Sequence, residues 1–403
     1  MEEFDVIVVG GGPSGSSCTM FLSKAGRKVL LLDRARFPRD KTCGDGISGR
    51  SVGILDELGL LGQFKGKEHQ DMFGVTFSSP DGTVAPISSG KGGRAPGFVC
   101  RREVFDDVVF QNAKKTAARA IEGFFVKDLV MDNGRVAGVK GDLEGKETEF
   151  RAKVVVGADG AGSVVARKLG ARNDDDDHLC AGMRCYYEGV EGMADQIELH
   201  FVKEALPGYF WIFPLPGKKA NVGIGVMVRD MKKKRLNLQK LMSDVIERNP
   251  VFKERFRNAK RVTDPKGWML PFATKRLKLA YDGCVLLGDA ASLIDPFTGE
   301  GIGNALSSGK YASEAIVAAF DKNDFSEAAL SVYPKALLAN IGNEVDTNYR
   351  MQKMSRNPFL LNLVIGKAKR SKEIQSVVSA AILDPNNHKK LIDPMFFLRA
   401  LLA

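Results

Sequence analysis

The chain has 403 residues, 44% of them apolar, and its 59 basic against 49 acidic side chains leave a formal charge of +10. That length admits one large domain or two to three smaller ones, and the composition is that of an ordinary globular protein. No run approaches the ~20 apolar residues of a spanning helix, and no recognised nucleic-acid module accompanies the positive charge. The six cysteines, Cys18, Cys43, Cys100, Cys180, Cys185 and Cys284, are scattered without a C-x-x-C pair. This predicts reduced thiols and a cytosolic setting. Only Glu2 and Glu3 stand between Met1 and the first apolar run, so no signal peptide is expected.

The chain is organised around its first strand and the turn after it. Phe4 to Val9 reads FDVIVV, and Gly10-Gly11-Gly12-Pro13-Ser14-Gly15 fits G-x-G-x-x-G. A helix is predicted from Ser16 to Ala25, and a second strand from Lys28 to Leu32 ends at Asp33. In such a βαβ unit Gly10 permits the tight turn. Gly12 lets a diphosphate approach the backbone, and Gly15 lets helix and strand pack closely. The helix N-terminus offers free N–H groups to that anion, with Ser14 in its first turn. Asp33 stands where an acid holds a ribose hydroxyl. The alternative is a glycine-rich turn with no ligand.

From Arg34 to Ile47 the sequence RARFPRDKTCGDGI excludes a regular element. Such a loop can fold over a cofactor, with Cys43, Gly44, Asp45 and Gly46 as its tip; Cys43 is otherwise a buried small residue. A helix follows from Ser51 to Leu58. Residues 72–100 have hairpin character. Arg101 and Arg102 open a helix to about Thr116, from which an Arg could reach a diphosphate. Phe124–Val130 and Arg135–Val139 form a hairpin around Asp132-Asn133-Gly134. Lys153 to Gly160 is a buried strand entering a tight turn at Asp159, with Ser163 and Arg167 on a short helix beyond. Asn173 to Asp177 is an acidic loop without a matching ligand cluster, so it reads as a solvated linker and no metal site is expected.

From His178 to about Pro271 the pattern is mostly strand, interrupted by a helix from Leu238 to Arg248. Aromatics concentrate here, and Tyr209, Trp211 and Phe213 share one face by alternation. They line a ligand cavity or fill a sheet core. Cys284 to Leu287 is a strand ending in Gly288-Asp289. The helix after it starts near Gly301, in a turn shaped by Pro296, Gly299, Gly301 and Gly303. From Phe325 onward the chain is helical, with apolar segments at 357–361 and 394–402 beside basic residues. The basic clusters at 232–235, 275–278 and 367–370 read either as solvated faces or as contacts for an anionic membrane or an acidic electron donor.

Three motifs in this order, GGGPSG, GADGAGS at 157–163 and GDAASLIDPFTGEGIGNAL at 288–306, resemble the FAD-dependent oxidoreductases of the p-hydroxybenzoate hydroxylase fold. PRDKTCGDGI at 38–47 and GYFWIFP at 208–214, followed by Gly223-Ile224-Gly225, resemble the geranylgeranyl reductases among them. The resemblance covers about residues 1–330. It implies a mixed α/β fold with a discontinuous Rossmann-like FAD domain (1–71, 101–172, 276–322). An antiparallel substrate domain (72–100, 173–275) and a C-terminal helical region (323–403) complete it. It implies FAD held by Gly10, Gly12, Ser14, Gly15, Asp33, Arg34, Arg102, Asp159, Asp289 and Pro296. The 43–46 loop and Gly301, Ile302 and Gly303 would lie near the flavin ring, and Tyr209, Trp211, Phe213, Gly223 and Gly225 would bind substrate. The implied activity is reduction of double bonds in an isoprenoid lipid, with Cys43 as the candidate catalytic residue, at the cytoplasmic side of a membrane. The electron donor stays open between ferredoxin, NAD(P)H and quinone. Phe201 stands one residue closer to the GYFWIFP segment than the family signature implies, which would turn it to the other strand face. The rival enzyme on this fold is an aromatic monooxygenase; the rival from another class is a flavin-free lipid carrier.

Overall fold

The computed structural model describes residues 3–88 and 95–376. The apolar segment at 394–402, and residues 89–94 of the hairpin region, lie outside the described residues. Across the first sheet the strands run Ala280–Tyr281, Cys284–Leu286, Lys146–Gly157, Glu3–Val9, Val29–Asp33 and Arg119–Glu122. The pairings among the last five are parallel. Val29–Asp33 is buried along its whole length, as a strand covered on both faces must be. The helix after the glycine turn spans Pro13–Lys24 and not Ser16–Ala25, because Pro13 takes the first helical position and Gly12 the N-cap. Gly15 is therefore inside the first turn.

The Phe124–Asp132 and Arg135–Leu143 hairpin turns through Asn133 and Gly134, both at positive φ (48° and 82°). It pairs onto the front half of Lys146–Gly157. That half, KETEFRA, is polar and half-exposed, so apolar patterning placed the strand start seven residues late, at Lys153.

The second sheet runs Lys260–Arg261, Leu179–Glu188, Lys219–Met227, Phe210–Leu215, Ile197–His200, Gly74–Ser78 and Val84–Ser88, with Lys266–Pro271 also on Leu179–Glu188. Its pairings are antiparallel except Ile197–His200 with Gly74–Ser78. On one face Phe210, Ile212, Val222 and Ile224 pack beneath the Leu238–Arg248 helix through Leu241, Met242, Val245 and Ile246. The opposite face carries Leu199, Trp211 and Phe213. The alternation expected from the sequence is thus what separates core from cavity.

The parallel pair is tied by a buried polar chain. Ser78 Oγ meets His200 Nδ1 at 2.8 Å, His200 Nε2 meets Glu198 Oε2 at 2.9 Å, and Arg255 grips both Glu198 oxygens at 2.6 and 2.7 Å. Burial pushes the Glu198 carboxyl up, but Arg255 and His200 outweigh it and hold it low. The strand beside it ends at His200, so Phe201 leaves the sheet and stacks on Phe297 at 5.8 Å and Phe77 at 6.4 Å.

The basic run at 232–235 sits on the end of a short helix, Val228–Lys234, that interrupts the mostly-strand region. Arg229 pairs with Asp177 and Lys232 with Asp176, so the acidic loop is a local counter-charge. Exposed bridges of this kind contribute at most about 1 kcal/mol each. Helices Val332–Met354 and Pro358–Arg370 close the C-terminal side. Ile365 joins Ala85, Phe201 and Leu206 in a small apolar cluster. No helix among the described residues is long and apolar enough to cross a membrane.

Candidate active site

One cavity of about 980 Å³ runs between the two sheets, at the upper end of what small-molecule sites occupy. At one end stand Gly10, Gly12, Ser14, Asp33, Arg34 and Asp159; at the other, Tyr209, Trp211 and Phe213. Cys43, Gly44, Gly46, Arg102, Asp289, Gly301 and Ile302 line it between them.

The glycine turn divides its work by position. Gly10 has φ +104°, and a Cβ on Gly15 would lie 1.8 Å from the Gly10 carbonyl oxygen, so neither tolerates a side chain. A Cβ on Gly12 would meet nothing nearer than an Arg39 nitrogen at 3.8 Å. Gly12 therefore keeps the cavity open rather than the fold closed. Gly12 and Gly301, the N-caps of Pro13–Lys24 and Ile302–Lys322, lack side-chain caps, and neither first turn holds an acid. Both helix ends offer free N–H groups to anionic or acceptor atoms. Asp33 accepts the Gly11 and Ala35 N–H groups at 2.6 and 2.7 Å, so it braces the turn it borders. Arg102 is buried and grips both Asp106 oxygens at 2.6 and 2.7 Å, and Arg39 shares that carboxylate at 2.7 Å.

Other expected residues stand one layer back. Asp159 lines the cavity, yet its carboxylate is occupied by Ser163 Oγ and the Val164 N–H at the start of the next helix. Gly15, Asp45, Pro296, Gly303, Gly223 and Gly225 are outside the lining. Pro296 is buried, and its carbonyl accepts from Gln352 at 2.7 Å. Gly303 lies over Glu300 and Ser48. Gly223 underlies the Trp211 indole, where a Cβ would come within 2.2 Å of the ring, and Gly225 lies beside Cys180. These two glycines seat the tryptophan and do not face the cavity.

Asp45 is withdrawn from the cavity by its own backbone, at φ +68°. Its Oδ2 accepts from Tyr186 Oη at 2.6 Å and Asn221 Nδ2 at 2.8 Å. Asn221 also donates to the Cys43 carbonyl at 2.7 Å and accepts from Trp211 Nε1 at 2.9 Å. Asn221 thus latches the Cys43 loop to the aromatic sheet, a role the sequence reading missed. Burial raises the Asp45 carboxyl to about 6, against the pull of Tyr186 and Asn221. The folded chain holds this proton where the unfolded chain has released it. The group's contribution to stability is therefore full below about pH 4 and is lost as pH rises through about 6. Asp45→Asn should gain about 3 kcal/mol on the wild type between pH 4 and pH 7, read as the difference between their denaturant unfolding curves; a constant difference would refute it.

A second group that sequence reasoning missed surrounds Glu300. Glu300 contacts Ser48 Oγ, and Arg50 pairs with Glu344; Glu300, Ser48, Arg50 and Glu344 all line the cavity. Burial pushes both glutamates up, Glu344 to about 7.

Two uncapped helix ends, a bracing aspartate and an open glycine ledge on one cavity form the cradle of a dinucleotide flavin in a Rossmann-type oxidoreductase. The chain matches the FAD binding domain family over residues 3–333. It is 32% identical over 358 residues to a digeranylgeranylglycerophospholipid reductase of Methanocella arvoryzae, covering 88% of this chain and 87% of that one. It is likewise 32% identical to a menaquinone reductase of Mycobacterium tuberculosis over 320 residues, 78% of this chain and 77% of that one. A solved geranylgeranyl bacteriochlorophyll reductase-like protein of Thermoplasma acidophilum superposes with a TM-score of 0.84 at 26% identity, covering 97% of this chain and 99% of that one. The chain belongs to the geranylgeranyl reductase family of FAD-dependent oxidoreductases, and its cofactor is FAD.

Proposed function

We propose that this chain reduces carbon–carbon double bonds in the geranylgeranyl-type chain of a lipid. The observation that carries this reading is the continuity of the cavity. One cavity is lined both by the flavin-cradle residues and by an aromatic floor of Tyr209, Trp211 and Phe213. Aromatic side chains give contact area with little polar demand, which suits a long hydrocarbon. FAD, when bound and reduced, supplies a hydride from N5. The chain's own residues position the alkene, exclude water and deliver a proton. The uncapped N–H groups behind Gly301 favour negative charge at that end of the cavity by about 1 kcal/mol. Electrons come from an external reduced carrier, since the sequence holds no second strand–GxGxxG–helix unit. The substrate is taken from a membrane surface, which the exposed Phe359 on the basic-ended helix Pro358–Arg370 is suited to touch.

The test is anaerobic. The FAD-loaded protein is reduced chemically and mixed with geranylgeranyl lipid in anionic liposomes, and flavin absorbance and product mass are followed together. Flavin reoxidation with a gain of two hydrogens per step is expected. A flavin that stays reduced until O₂ enters, with an oxygenated product, would overturn the reading in favour of a monooxygenase. A chain that cannot be loaded with FAD would favour a lipid carrier.

On this reading Cys43, which lines the cavity with Arg102, touches the flavin or the substrate. Cys43→Ala should keep FAD bound and slow alkene reduction at least tenfold; unaltered turnover would remove Cys43 from the reaction.

A further inference from the structure

The proton for such a reduction needs a source beside the substrate. Tyr209 is poorly placed to give one. Its hydroxyl already donates to the Thr298 carbonyl at 2.5 Å, and burial drives its pKa far up. The same contact brings the aromatic floor against the 298–300 turn, and Glu300 follows at once, directly before the Gly301 N-cap. Glu300 therefore stands where the substrate face and the uncapped helix end meet.

The charges around it do not balance. Glu300 and Glu344 share one guanidinium, Arg50, and both feel the like charge of Asp295. Asp295, on the same turn as Glu300, accepts from the Phe297 and Thr298 N–H groups, the Thr298 hydroxyl and Asn348. Every one of these partners donates to it, so Asp295 is engaged as an acceptor. Arg50, from the Gly49–Glu57 helix, reaches Glu344 and Asn340 on the Val332–Met354 helix. Its side chain is only 10% exposed, and its Nε is buried with no hydrogen-bond partner. Ser48 completes the set as the hydroxyl partner of Glu300. Two half-buried glutamates beside the buried Asp295, with one cation among them, favour keeping a proton on a glutamate.

We propose that Glu300 is the acid of this site and gives its carboxyl proton to the alkene carbon that does not receive the hydride. The Glu300 O–H bond breaks as that C–H bond forms. Reduced flavin supplies the electron pair and the other hydrogen. The carboxylate left behind is steadied by Arg50 and refilled from solvent by way of Glu344. The assignment rests on the reductase reading above.

Infrared titration of the apo-protein and single-turnover reoxidation of the reduced holoenzyme test it together. A protonated-carboxyl band that persists above the ordinary glutamate range is expected in the wild type, and the part of it that belongs to Glu300 should be lost in Glu300→Gln. The variant should bind FAD stoichiometrically, because the amide keeps the size and the Ser48 contact. It should reoxidise with lipid at least about 100-fold more slowly. Glu344→Gln removes a like charge facing Glu300, so it should move the alkaline fall in wild-type rate to lower pH without abolishing turnover. If wild type reduces the alkene and Glu300→Gln keeps its rate and pH profile, the Glu300 assignment falls alone. If wild type reduces no alkene, the reductase reading falls and takes the assignment with it.

Discussion

Gly12→Val should give a folded protein without yellow colour. The backbone at Gly12 has ordinary negative φ (−69°), and the only protein atom within 4 Å of an added Cβ is an Arg39 nitrogen at 3.8 Å. Folding should change by less than about 1 kcal/mol, as for a surface substitution away from special geometry. The isopropyl group would instead occupy the ledge over which a diphosphate must approach the free N–H groups. A loss of about 4 kcal/mol in FAD binding corresponds to nearly a thousandfold in Kd. Gly15→Ala is the companion experiment. Its Cβ would be forced to 1.8 Å from a main-chain oxygen, so this variant should lose fold and flavin together, by more than about 4 kcal/mol. Calorimetry on apo-protein and flavin fluorescence on reconstitution separate the two. A Gly12→Val protein that binds FAD normally would show that the diphosphate does not use this ledge.

Asn221→Leu should have the second large effect. The amide serves three buried groups at once: the Trp211 indole N–H, the Cys43 carbonyl and the Asp45 carboxylate. An isosteric apolar side chain leaves each short of a partner. At about 1–3 kcal/mol for each orphaned buried group, and with Asp45 still held by Tyr186, the summed loss is on the order of 2–6 kcal/mol. The loop bearing Cys43 would also lose its tie to the aromatic sheet. Proteolytic cutting within 34–47 should quicken relative to the rest of the chain, and lipid turnover should fall further than FAD affinity. A melting point within a few degrees of wild type would rule out the latch.

Much of this molecule was legible because the relevant neighbours are close in sequence. Gly10, Gly12, Gly15 and Asp33 belong to one βαβ unit, and their closeness follows from the turn's geometry. Trp211 and Phe213 declared their shared face through strand alternation, although whether that face met core or cavity needed the second sheet. The latch and the acid group were opaque for the opposite reason. Asn221 meets Cys43 across 178 residues and Arg50 meets Glu344 across 294. Polar residues of these types are found on any surface, and nothing local marks a buried one. Asp45 misled because its neighbours Gly44 and Gly46 do line the cavity; a positive φ at the residue between them turned its carboxylate the other way. Gly223 and Gly225 were recognised as special, but their reason is the indole lying over them.

The order of strands in the first sheet has a consequence for how the protein is made. Glu3–Val9 pairs with Lys146–Gly157, which in turn pairs with Cys284–Leu286. The cavity then needs Asp289 and the helix end at Gly301. The glycine turn is synthesised well before the rest of its site, which is complete only about 290 residues later, after Gly301. Until then the βαβ unit exposes a parallel strand edge that lacks its neighbour, and long-range pairing of this kind closes slowly. A complete flavin site is therefore a late product of the nascent chain, assembled from segments distant in sequence.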